Sequence, residues 1–153
     1  MNLSYHWWDH IWTFRPLAYG ILMWTVSVYA FRRGGWEERL TAVGFLANSY
    51  LTLMVIVPDG NQYHRVEALV LSIDIIFLVQ LILTALRSRR FWPMWLAAMQ
   101  GMTILAHLLP LMPHALPIIY RDATALWSYP MWFVLALAVG NRPAQQARYG
   151  DSE

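Results

Sequence analysis

The chain has 153 residues, of which 58% are hydrophobic and 13% charged, about half the charged share of an average soluble domain. So few charges cannot cover a water-facing surface. The formal net charge of +2, spread over short clusters, excludes the continuous basic face that nucleic-acid binding requires. There is no cysteine, which excludes disulfides, thiolate metal sites and cysteine nucleophiles.

The opening stretch MNLSYHWWDHIWTF lacks a basic segment and is interrupted by His6, Asp9 and His10. It reads as an aromatic interfacial segment, not a secretory signal. Five apolar segments follow. The first covers about 17–31 and ends at Arg32–Arg33; it is short for a span of about 20 residues, and the Trp-rich stretch before it can lengthen it despite Pro16. The second covers about 40–57 and stops at the turn sequence Pro58-Asp59-Gly60-Asn61. The third, about 66–86, is the clearest and ends in Arg87-Ser88-Arg89-Arg90. The fourth covers about 91–111. Pro110, Pro113 and Pro117 separate it from a fifth over about 123–139, and a polar tail, 141–153, closes the chain. The expected fold is all-α: residues 1–140 form one integral membrane bundle of five transmembrane helices. Four spans plus a re-entrant segment are the alternative.

All 11 basic residues are arginine. With the amino terminus outside, Arg32, Arg33, Arg39, Arg87, Arg89, Arg90, Arg142 and Arg148 fall inside, and only Arg15, Arg65 and Arg121 outside. This bias over short loops predicts an N-out, C-in orientation. Trp7, Trp8 and Trp12 then form an outer aromatic belt, and Trp36, Trp92 and Trp95 an inner one.

Ionisable residues inside a span are functional hypotheses by default. Asp74 is such a residue, roughly 12 Å below the outer boundary at 1.5 Å per residue, with Glu67 seven positions earlier on the same face. Gln100, Thr103 and His107 share one stripe of the fourth segment. Asn48 and Thr52 share a face of the second, and Thr25 in the first lies near the same depth. The expectation is a polar layer in the outer half of the bundle. It could act as an outward-facing cavity, a proton site or a ligand pocket. It could equally serve as hydrogen-bonded glue that fixes helix packing.

His6 and His10 stand four apart, a spacing that can place two imidazoles on one metal. Interfacial side chains are the simpler account. Haem needs axial ligands, and His107 is the one histidine inside a span; the sequence names no cofactor. Gly20, Gly44 and Gly101, with Ala42, Ala97 and Ala98, are positions where helices can approach closely. No G-x-S-x-G, H-E-x-x-H, Walker or dinucleotide-binding pattern occurs, so no enzymatic activity is expected.

The stretches RSRRFWPMWLAAMQGMTILAHL and ALWSYPMWFVLALAVG, with GGWEERL before them, resemble small polytopic membrane proteins of bacterial genomes. The resemblance covers most of the chain from Gly35 to Gly140. It implies a multi-pass helical protein of the bacterial inner membrane and no particular activity. Three function classes follow. The first is a non-enzymatic membrane subunit that packs in the lipid bilayer against a partner protein or against copies of itself. The second is a small transporter or an ion or proton channel that uses Asp74 in an outward-facing polar cavity. The third is a periplasm-facing metal- or cofactor-binding sensory or redox protein.

Overall fold

The computed structural model describes residues 8–55, 63–107 and 127–142, the side chains of 8–13, 15 and 63–67 excepted. These residues form five helices and no strand: α1 (Trp8–Arg33), α2 (Trp36–Val55), α3 (Tyr63–Arg87), α4 (Trp92–Ala106) and α5 (Ser128–Gly140). The helix α1 starts well before the apolar run at 17–31 and carries Pro16 inside it. A proline there removes one hydrogen bond to the preceding turn, and the helix continues through it. The 108–111 and 123–126 ends of the fourth and fifth expected segments, like the tail beyond Arg142, lie outside the described residues.

Two residues, Gly34 and Gly35, reverse the chain between α1 and α2. The Gly34 N–H bonds the Ala30 carbonyl at 2.8 Å. A side chain at Gly34 would run into that carbonyl and the Cβ of Glu38, so the reversal is tight enough to require glycine. Glu38 reaches back from the first turn of α2, and its Oε2 accepts the Gly35 N–H at 2.7 Å. This is the acidic half of a capping box. Both Glu37 and Glu38 sit where the positive end of the helix dipole favours carboxylates. At α4, Pro93 occupies the helix start, where its missing N–H costs nothing.

The short links, two residues before α2 and four before α4, make these neighbours antiparallel. Across α2 and α3, Asn48 meets Asp74 and Leu40 meets Gln80, so residue numbers rise on one helix as they fall on the other. The helix α5 instead runs parallel to α1: Tyr19 packs edge-on against Tyr129 at 5.5 Å, and Arg142 donates to the Arg33 carbonyl at 3.0 Å. Each helix touches the next and α5 returns to α1, with α2 also reaching α5 across the ring. At the centre Phe45 stacks on Trp132 with ring centroids 4.3 Å apart and meets Phe77 edge-on at 4.8 Å. Leu81, Leu96, Met131 and Leu135 close around them.

The distribution of polarity is inverted relative to a water-soluble bundle. Phe14, Leu17, Ile21, Trp24, Val28 and Phe31 line the outside of α1, and large apolar side chains are exposed on each of the other four helices. Glu37, Glu38, Asp74 and Gln100 are buried. Ala68–Arg87 in α3 is long and apolar enough to cross a membrane, and only 22% of that stretch is buried inside the protein. A core helix of a soluble protein would be mostly buried.

The three glycines expected at helix contacts separate. A Cβ at Gly20 or Gly101 would meet open space, whereas one at Gly44 would overlap the Gln80 side chain. The Gln80 amide lies over Gly44 and donates to the Leu40 carbonyl at 2.8 Å. Gly44→Val should therefore destabilise the bundle by about 1–3 kcal/mol through overpacking. Gln80→Ala in the same chain should recover part of that loss. Thermal unfolding in detergent reads both, and an unchanged Gly44→Val variant would mean that Gln80 moves aside freely.

Candidate functional site

The expected polar layer gathers on Asp74, in the middle of α3. Its Oδ1 accepts the Asn48 side-chain amide of α2 at 3.2 Å and the Gln100 amide of α4 at 3.0 Å. Its Oδ2 lies 2.9 Å from Nε2 of His107, the residue that caps α4. Carboxylate and imidazole are both almost fully buried. The arrangement is selected by cost: a carboxylate lifted from water must be paired or fully hydrogen-bonded, and α2 and α4 together turn three polar side chains toward it. A proton gained or lost by the Asp74–His107 pair changes the charge held inside the bundle by one unit.

Of the seven residues expected in this layer, four therefore meet: Asp74, Asn48, Gln100 and His107. Thr103 is buried on α4 but bonds its own helix at the Met99 carbonyl, 3.4 Å away. Thr52, one turn beyond Asn48, is half-buried and makes no hydrogen bond to the cluster among the described residues. Thr25 is exposed on α1 and bonds the Ile21 carbonyl at 2.7 Å, so it stays outside the cluster. Beside the cluster, the Tyr19 hydroxyl lies 3.3 Å from Ser49 Oγ.

A second polar cluster closes the opposite, arginine-rich end. The Arg90 guanidinium bonds Glu38 through Nη1 and approaches Glu37 through Nε at 3.4 Å. Ser88 Oγ donates to Glu37 at 2.7 Å and accepts the Arg90 N–H at 3.0 Å. The Arg142 guanidinium stands on the other side of Gly35. Elements α1, α2, α5 and the α3–α4 link thus meet at one set of charges.

This cluster was not expected from the sequence, where GGWEERL reads as an inner loop. One signal pointed to it: two adjacent carboxylates on a side of the protein otherwise rich in arginine, facing the RSRR link. Trp92 likewise departs from its expected place in the inner aromatic belt. It is buried, whereas Trp36 and Trp95 are exposed as a belt requires.

Between the two clusters lies the Phe45–Trp132–Phe77 layer. Six buried polar atoms have no partner among the described residues: Asn48 Oδ1, Trp132 Nε1, Ser27 Oγ, Thr41 Oγ1, Trp92 Nε1 and Arg142 Nε. They extend from one cluster to the other.

No group of three or more histidines and carboxylates gathers at metal-binding distance among the described residues. Of the expected metal pair, His6 lies outside those residues and the His10 side chain is not described. No protein-family model, curated protein or solved structure matches the chain.

Proposed function

We propose that this chain is a five-span, N-out protein of the bacterial inner membrane that serves as a non-enzymatic subunit, packing against a partner membrane protein. The observation that carries this reading is the inverted polarity. Apolar side chains cover the outside of all five helices while carboxylates and amides face inward and bond one another. Such a surface suits hydrocarbon and is a liability in water. In hydrocarbon, interhelical hydrogen bonds rather than apolar burial hold helices together, and the Asp74 cluster joins α2, α3 and α4 in this way.

Trp24 supports a protein neighbour over lipid alone. It is 52% exposed on α1 between Ile21 and Val28, about 13 Å from Arg33 at the helical rise, close to the middle of a bilayer core about 30 Å thick. Tryptophan prefers the membrane interface, where its N–H finds an acceptor. At mid-depth a neighbouring helix that offers a carbonyl or hydroxyl would supply one.

Two measurements test the reading. Because the chain has no cysteine, single cysteines introduced at Ser4 and at the exposed Arg89 should react from opposite sides of an intact inner membrane. Labelling of both from the same side would overturn the topology. Native mass spectrometry after gentle solubilisation should find the chain in a stoichiometric complex, and a lone monomer would overturn the subunit role.

A second reading, a small transporter or an ion or proton channel, is favoured by the buried Asp74–His107 pair. Fixing helices alone does not call for two titratable partners. The third class, a metal- or cofactor-binding protein, draws no support from the described residues.

A further inference from the structure

We infer that buried water fills the interior between the two ionisable clusters and makes this chain a conductor of protons between the Asp74–His107 pair and Glu37 and Glu38. The inference rests on the second reading above and extends it by naming the proton as the transported species and the route it takes.

The unpartnered polar atoms carry the argument. A buried hydroxyl, indole N–H or amide oxygen without a partner costs free energy, and in folded proteins such groups are satisfied by protein or by ordered water. Here they form a series. Asn48 Oδ1 belongs to the outer cluster, and Trp132 Nε1 to the aromatic layer next to it. Ser27 Oγ and Thr41 Oγ1 come next, both on fully buried residues. The Tyr19–Ser49 contact sets the antiparallel register of α1 and α2, and eight residues along each helix that register places Ser27 at the level of Thr41. Thr41 lies about 10 Å along α2 from Asn48 and about 4.5 Å from Glu38. Trp92 Nε1 and Arg142 Nε belong to the arginine-rich end.

A water bonds two to four polar groups, so two or three waters supply partners for these atoms and bring the two clusters within reach of one another. Conduction along such a chain is balanced. One proton enters at the His107 imidazole or the Asp74 carboxylate. Each water accepts a proton on one side and releases one on the other, and one proton leaves through Glu37 or Glu38. No redox partner is required. The Phe45–Phe77 contact narrows the path; the Trp132 N–H, a donor only, holds in place the water that carries the proton past it.

The test uses the purified full chain in liposomes loaded with a pH-sensitive dye, with proton flow driven by a potassium diffusion potential. The parent chain should acidify the lumen well above empty liposomes. Asp74→Asn and the double variant Ser27→Ala/Thr41→Val should each lower the rate at least tenfold, with unchanged detergent elution profiles. Ser27→Thr/Thr41→Ser keeps both hydroxyls and should keep the flux, which separates a lost water step from a folding defect. If Asp74→Asn abolishes flux and the hydroxyl deletions do not, the route is wrong and the Asp74 reading stands. If the parent chain carries no protons, route and proton reading both fall.

Discussion

Replacing Arg90 by alanine should destabilise the bundle by about 3–5 kcal/mol, the range for removing one partner of a buried ion pair. The cause is what remains. Glu38 has no exposed surface and Glu37 very little, and Arg90 is the one cation within ion-pair distance of either among the described residues. The loss also loosens the Ser88 turn, because Ser88 Oγ bonds both the Arg90 N–H and Glu37. The measurement is unfolding of detergent-solubilised protein by sodium dodecyl sulfate, followed by tryptophan fluorescence. Combining Arg90→Ala with Glu37→Gln and Glu38→Gln should recover much of the deficit, since neutral amides cost less to bury than charges. A deficit below about 1 kcal/mol, the value of an exposed pair, would mean that water reaches these carboxylates.

Asp74→Ala should be the other severe substitution, again by about 3–5 kcal/mol. It removes the acceptor shared by Asn48, Gln100 and His107 and leaves three polar side chains facing a hole at the junction of α2, α3 and α4. Asp74→Asn keeps the volume and one carbonyl acceptor and should cost about 1 kcal/mol, the net value of a hydrogen bond. The difference between the two variants decides how the cluster is used. A large alanine effect with a small asparagine effect and undiminished flux assigns Asp74 to packing. A small asparagine effect on stability with lost flux assigns it to proton transfer. Equal, negligible effects of both would show that the cluster holds nothing together.

The helix boundaries illustrate where reading from the sequence stops. The apolar run at 17–31 is only part of the first helix: α1 begins at Trp8, in the Trp-rich stretch open to such an extension, and passes through Pro16. A proline costs one turn's hydrogen bond, not the helix, when the residues on either side gain by continuing it. Glu37 and Glu38 were placed in a loop because charge normally marks the water side. A carboxylate that caps its own helix and meets an arginine from another can be buried, and neither partnership is visible from hydropathy.

Length, composition and the order of apolar runs by themselves determined that the described residues are all-helical, that they hold five helices, and that Asp74 lies well inside the third. Those are local properties: hydrophobic run length sets the helix and a fixed rise per residue sets depth. Which face each helix turns inward was left to the tertiary structure. A helix that is apolar all round carries little rotational signal, so its angle is set by the few polar groups that must find partners on another helix. That requirement turned Asn48 and Gln100 toward Asp74 and left Thr25 outside. It laid Gln80 on Gly44 while Gly20 and Gly101 face open space, and it drew Arg90 onto the buried glutamates.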